Sequence, residues 1–133
     1  MSNILDLSIP AGSHGNDLVE LLYRFGNALP LVNERRDVLE RQIGVQEILV
    51  ESLQARAYTG IDGTINDKKN GSLHLEVNID GVNTTVIDEK KKLNDIRYQY
   101  NRAKSRVKEI EKLIDICRSC LSYDKAEGGN YNG

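Results

Sequence analysis

The sequence predicts a mainly α-helical fold, in which an antiparallel helical hairpin (coiled coil) carries a small β-hairpin or meander between its two long helices. Apolar residues recur at spacings of three and four in the first half and the last third of the chain, as on one face of a helix. Between these stretches the period falls to two, and Asx-Gly pairs mark tight turns. Aromatic residues make up only 5% and charged residues 29% of the sequence, so the apolar residues are mainly aliphatic and lie in stripes, which suits packed helices.

The chain begins with a segment that has little periodicity. Residues 1–15 contain Pro10 and two glycines, so we expect a flexible or partner-docked arm. Asn16 is the predicted N-cap of the first helix, because acidic residues follow it in the first turns. We expect Pro30 to kink or break this helix near residues 27–31, since a proline ring removes one backbone hydrogen bond. The apolar stripe before and across this point is Leu18, Leu22, Phe25, Leu29 and Val32.

A second helical stretch follows Pro30, and its apolar face is unusually broad. The main stripe is Leu39, Ile43, Val50, Leu53 and Ala57. The residues that widen it are Val38, Val45, Ile48 and Leu49. A stripe wider than two positions per heptad predicts more than one neighbour, such as the C-terminal helix on one side and a second subunit on the other.

Three Asx-Gly pairs, at residues 62–63, 70–71 and 80–81, predict turns between the helices. A two-residue turn at Asp80-Gly81 pairs Ile79 with Val82, and the register continues as Val77 with Thr84 and Leu75 with Val86. The pair at 70–71 predicts an earlier strand at about 64–68. So small a sheet must pack on the helices or pair its edges with other copies. The apolar residues expected on one face are Leu73, Leu75, Val77, Ile79, Val82 and Val86.

The last third of the chain carries a heptad seam. Asp88 is the predicted N-cap of this helix, and the 3.5-residue period indicates a face kept for another helix. We expect one domain over 16–124, in which residues 33–58 supply the intramolecular partner helix, and a disordered tail over 125–133. The seam residues are Leu93, Ile96, Tyr100, Ala103, Val107, Ile110, Ile114, Cys117 and Leu121.

The order helix, β-meander, helix over about residues 17–122 resembles the layout of the prefoldin family. Subunits of that family place a β-hairpin between two coiled-coil helices, assemble through the hairpins and hold non-native chains with the helix tips. The resemblance implies assembly and a chaperone-like role. It rests on layout, because the chain carries no family-specific motif, and the predicted interruption at Pro30 and the short C-terminal helix depart from the family pattern.

Charge is unevenly distributed. Residues 1–89 carry 7 Lys and Arg against 14 Asp and Glu, whereas residues 90–133 carry 11 against 6. One interpretation is that the basic helix pairs with acids of the first helix or of another copy. The alternative is that the basic segment 90–108 binds nucleic acid or a phosphorylated nucleotide ligand. The candidate anion-binding residues are Arg97, Arg102, Lys104, Arg106 and Lys108.

The two cysteines, Cys117 and Cys120, form a C-x-x-C motif. Two thiolates three residues apart can occupy two positions on a tetrahedral zinc, but two further ligands are missing. The simpler interpretation is that Cys117 is a small buried residue of the seam. The sequence therefore favours no metal and no cofactor, with this pair as the only weak candidates.

Candidate catalytic signatures are lacking, so we expect a protein that is not an enzyme. No apolar run approaches the length of a membrane span, and the N-terminus does not resemble a secretory signal. The sequence therefore predicts a cytoplasmic, self-assembling coiled-coil adaptor or chaperone-like protein. Its expected partners are copies of itself and another protein, and no membrane.

Overall fold

The structure, a computed structural model of the 133-residue chain, describes residues 7–132 and the side chains of residues 7–123. Its elements are α1 (Asn16–Thr59), α2 (Ile65–Ser72), β1 (Val77–Ile79), β2 (Val82–Thr84) and α3 (Val86–Asn132). The two long helices α1 and α3 pack together, and α2 and the β-hairpin join them. The predicted helical hairpin with a small β insertion is confirmed.

The chain divides into two compact units. Unit 1 comprises Met1–Arg36 and Arg102–Gly133, and unit 2 comprises Asp37–Asn101. Each unit therefore contains one part of α1 and one part of α3. The prediction of one domain over 16–124 stays a prediction.

Helix α1 continues through Pro30, so the predicted break near residues 27–31 is wrong, and the alternative of a kink there stays a prediction. A proline in a helix interior costs about 3 kcal/mol. Side chains on both sides of the proline offset this cost, since Ala28, Leu29 and Val32 pack against the core of unit 1. These side chains are half-buried, so their burial contributes about 0.5 to 1.5 kcal/mol each, and the sum is comparable with the cost of the proline.

Residues 65–72 form helix α2 and not the predicted early strand. Thr64 is the N-cap: its side-chain oxygen accepts a hydrogen bond from the Asp67 backbone N–H, and the Asp67 carboxylate accepts one from the Thr64 N–H, each at 3.2 Å. This reciprocal capping box satisfies two backbone donors and starts a helix. The Asn70-Gly71 pair lies within α2 and does not form a hairpin turn.

The β-hairpin has the predicted register, with Val77 opposite Thr84 and Ile79 opposite Val82. Asp80 and Gly81 both adopt positive φ angles, of 50° and 86°, as a tight two-residue turn requires. Each strand has only three residues, so the sheet ladder ends before the predicted pair of Leu75 with Val86.

One residue of the predicted apolar face is misplaced. Val82 is 65% exposed, although it was expected beside Leu73, Leu75, Val77 and Ile79. The side chains that pack on the core of unit 2 come from β1 and the residues before it. Val82 follows the turn at the tip of the hairpin and does not belong to that set.

Helix α3 begins at Val86, earlier than predicted, and Thr85 takes the capping role expected of Asp88. The Thr85 side-chain oxygen accepts a hydrogen bond from the Asp88 N–H at 3.2 Å. The Ile87 N–H donates to the Leu73 carbonyl at 3.1 Å, so a backbone donor of the first helical turn is satisfied by the segment before β1. At its other end α3 reaches Asn132, within the segment predicted as a tail. Disorder of 125–133 stays a prediction, and the side chains of 124–133 lie outside the described residues.

Each unit has its own core. In unit 1 the buried residues that pack together are Leu18, Leu21, Phe25, Ile110, Ile114 and Cys117. In unit 2 a cluster forms from Leu53, Ala57 and Val86, against which the residues leading into the β-hairpin pack.

The predicted N-terminal arm is non-helical over 7–15, and Leu7 and Ile9 pack against the core of unit 1. Ser13 closes a turn, since its N–H and its hydroxyl both donate to the Pro10 carbonyl. Residues 1–6 of the arm lie outside the described residues. The flexibility of the arm stays a prediction.

Candidate functional site

The seam of α3 lies mostly inside the protein. Six of its nine residues are buried, namely Leu93, Ala103, Val107, Ile110, Ile114 and Cys117. Ile96, Tyr100 and Leu121 are half-buried. The heptad pattern therefore marks the side of α3 that is shielded from solvent within a single chain.

In unit 2 the seam includes a buried carboxylate that the sequence analysis missed. Glu89 is 6% exposed. Gln46 Nε2 on α1 donates to the Glu89 backbone carbonyl at 2.9 Å and to its Oε2 at 3.4 Å. Lys92 Nζ lies 3.2 Å from the Glu89 carboxylate, so the buried charge is paired and hydrogen-bonded, as burial requires.

A sequence signal for this position exists. Extending the seam toward the N-terminus from Leu93 by steps of four and three places Glu89 and Val86 on it. Both are buried in the structure. The pattern alone does not predict burial of Glu89, because Glu is rarely buried without a partner and Gln46, the partner, lies on the other helix.

One side of the helix pair in unit 2 is a charged groove. Glu47, Val50 and Glu51 of α1 line it together with Lys90, Leu93, Asn94 and Arg97 of α3. The Arg97 guanidinium lies 3.7 Å from Glu47, and both side chains are about half exposed. Arg97, a candidate anion-binding residue, therefore pairs with an acid of the first helix, as the first interpretation of the charge pattern predicts.

The other candidate anion-binding residues lie in unit 1. Arg102, Lys104 and Lys108 are exposed, and Arg106 is half-buried. Arg102 and Lys104 are engaged with neighbouring groups. Arg97 lies in unit 2 and the other four candidates lie in unit 1, and anion binding stays a prediction.

The other side of the helix pair in unit 2 is an apolar groove. Val38, Arg41, Gln42, Val45 and Gln46 of α1 line it together with Ile96 of α3. Val45 is 69% exposed, and so is Ile48, one helical turn further along α1. These residues belong to the broad apolar face that the sequence predicted.

The two grooves lie on opposite sides of α1. Successive residues of an α-helix are about 100° apart, so Val45 and Glu47 project in nearly opposite directions. Glu47 pairs with Arg97, whereas Val45 remains largely exposed to solvent. Unit 2 therefore has one side on which Arg97 and Glu47 pair and one side that presents aliphatic surface.

The cysteine pair lies in unit 1. Cys117 is buried, Cys120 is half-buried, and both are free thiols. Burial raises the pKa of the Cys117 thiol, and the neighbouring Cys120 adds to the rise. Because metal ligands and thiol nucleophiles react as thiolates, these surroundings favour the simpler interpretation of Cys117 as a core residue.

Within residues 7–123 no group of three or more His, Cys, Asp or Glu side chains could hold a metal ion. Of the helices in the described part of the chain, none has the length and apolar character to cross a bilayer. No protein-family model, curated protein or solved structure matches the chain.

Proposed function

We propose that this chain is a non-enzymatic, self-assembling coiled-coil adaptor or chaperone-like protein that binds a protein partner and works in the cytoplasm. The observation that carries the proposal is the aliphatic surface on α1 in unit 2. Val45 and Ile48 are each 69% exposed, beside a groove that is lined by further aliphatic residues. Contiguous exposed apolar surface with a polar rim is typical of protein-binding sites.

The energy of covering this surface supports association between chains. Full burial of a Val or Ile side chain contributes about 1.5 to 3 kcal/mol, so burying the exposed parts of Val45 and Ile48 contributes about 1 to 2 kcal/mol each. Two copies that bury these residues against one another gain roughly 4 to 8 kcal/mol. A micromolar dissociation constant requires about 8 kcal/mol net, and association also costs several kcal/mol of lost freedom, so these two residues supply part of the energy and the rest of the interface supplies the remainder.

The rest of the fold supports a scaffold that presents this surface. The helices of each unit are joined by a packed core, and Arg97 of α3 pairs with Glu47 of α1 in the charged groove of unit 2. In the proposed role, the assembled chains hold a protein partner with the ends of their helices or with the N-terminal arm. The β-hairpin contributes a second surface for assembly, because Val82 is exposed at its tip.

Light scattering of the purified chain tests the assembly. We expect a mass that is a multiple of the 14.9 kDa of one chain at micromolar concentration. A monomer with full helical circular dichroism would overturn the proposal.

An aggregation assay with a denatured model protein tests the chaperone-like role separately. We expect the assembled chain to suppress light scattering by the denatured protein when both are present in equal amounts. An inert globular protein of similar size and charge serves as the control. If the chain assembles but suppresses no more scattering than this control, the chaperone-like role fails and the adaptor role is left.

A further inference from the structure

We propose that the apolar groove of unit 2 binds the same groove of a second copy, with Arg41 of each chain paired to the partner's Asp95. This inference rests on the proposed self-assembly and specifies the surface that performs it. The occupant is a second copy of this chain, related by a two-fold axis parallel to the helices.

The lining of the groove is suited to contact with an apolar helix surface. Val38, Val45 and Ile96 supply its aliphatic part. Gln42 and Gln46 also line the groove. Both side chains are uncharged, so burying them in an interface carries no cost of desolvating a charge. Gln46 is already bonded to Glu89 within the chain, which lowers the cost of its burial.

The rim of the groove is complementary to itself. Arg41 stands on the α1 side, and Asp95 stands on the α3 side, next to Ile96. Asp95 is exposed, and its carboxylate accepts a hydrogen bond from the Gln99 amide at 3.1 Å. Arg41 and Asp95 therefore offer opposite charges on the two helices, while Lys92 of α3 is already paired with Glu89 within the chain.

A two-fold axis parallel to the helices would bring the oppositely charged residues of two copies together. Such an axis keeps each residue at its own height and brings α1 of one chain against α3 of the other. Ile96 lines the groove at the level of residues 38–46, so Arg41 comes to the level of the partner's Asp95. The two symmetric ion pairs then flank the joined aliphatic surfaces, as a polar rim flanks an apolar interface core.

Charge reversal tests the pairing. We expect Arg41→Asp to raise the dissociation constant of the assembly by on the order of 100-fold, because two attractive pairs become repulsive. Asp95→Arg should weaken it similarly, and the double variant should restore it. Lys91→Asp, a reversal of an exposed residue of α3 outside the groove, is the matched control and should leave the mass unchanged.

Val45→Asp tests the aliphatic part, and Leu31→Asp is its matched control, because Val45 and Leu31 lie on the same helix and are 69% and 68% exposed. We expect Val45→Asp to give a monomer and Leu31→Asp to keep the wild-type mass, while Val82→Asp tests the β-hairpin separately. The charge reversals keep the proposal falsifiable if Val45→Asp fails to fold, since Arg41 and Asp95 are exposed.

The outcomes separate this inference from the proposed function. If the wild type assembles and Val45→Asp and Arg41→Asp both keep its mass, the groove is the wrong surface and self-assembly stands. If Val82→Asp alone dissociates the chains, the β-hairpin joins them and this inference falls. A double variant that stays dissociated overturns the pairing of Arg41 with Asp95, and a monomeric wild type overturns both proposals.

Discussion

Phe25 is the largest fully buried side chain among residues 7–123, and its truncation is the sharpest test of the core of unit 1. It packs with Leu21 of α1 and with Ile110 and Ile114 of α3. Phe→Ala substitutions at such positions cost about 3 to 5 kcal/mol, because they remove buried apolar area and leave a cavity. That loss is a large part of the 5 to 15 kcal/mol that is typical of a domain.

The matched control is Tyr23, an aromatic residue two positions away that is 71% exposed. We expect Tyr23→Ala to change the free energy of unfolding by less than about 0.5 kcal/mol. Urea unfolding followed by circular dichroism, at one fixed protein concentration, measures both variants. Equal costs for Phe25→Ala and Tyr23→Ala would refute the assignment of Phe25 to the core.

A double-mutant cycle tests whether the side chains of Phe25 and Ile114 are in contact in the core of unit 1. If they are in contact, the costs of Phe25→Leu and Ile114→Val should be non-additive by about 0.5 kcal/mol or more. These two conservative variants also keep the test available if Phe25→Ala does not fold. Strict additivity would mean that the helix pair of unit 1 does not bring these side chains together.

Three further outcomes are expected. If the basic segment binds a short oligonucleotide, the affinity should fall as the salt concentration rises and should fall in Arg102→Ala or Arg106→Ala. Affinity that changes neither with salt nor in these variants would exclude anion binding by this segment. Cys120 should react with a thiol reagent faster than Cys117, which is buried and has a raised pKa; equal rates in single-cysteine variants would contradict the burial. The pKa of Cys117 is higher in the folded than in the unfolded chain. Its contribution to the free energy of unfolding is therefore present at neutral pH and is lost as the pH rises through the folded pKa. If wild type and Cys117→Ala lose stability equally at alkaline pH, this expectation is contradicted.

The sequence predicted the helices and the hairpin register well because both patterns report burial and turn geometry directly. The heptad spacing identified the side of α3 that is buried, and Asp80-Gly81 fixed the pairing of Ile79 with Val82. Two local signals were misjudged. The proline rule predicted a break at Pro30 where the helix is continuous and its neighbours are packed. Asn70-Gly71 predicted a hairpin turn where the capping box at Thr64, which the sequence analysis did not identify, begins a helix.

The candidate site was less predictable. The sequence indicated a broad apolar face on α1, but it did not show which of those residues α3 covers. Leu39 and Val50 are buried, whereas Val45 and Ile48 are exposed, and only the placement of the second helix separates these pairs. The pairing of Glu89 with Gln46 is hidden from periodicity for the same reason, since its two members lie on different helices.

Forming each core closes a loop of chain between the residues that meet in it. The loop is shorter for the core of unit 2 than for the core of unit 1, so we expect the core of unit 2 to form first. Leu53 and Val86 of unit 2 are separated by little more than α2 and the hairpin, whereas Phe25 and Ile110 of unit 1 lie much farther apart along the chain. Each doubling of a closed loop costs about 0.6 kcal/mol of chain entropy, and local contacts form sooner than distant ones. We therefore expect the turn region to nucleate, so that unit 1 closes a loop already shortened by the structure of unit 2.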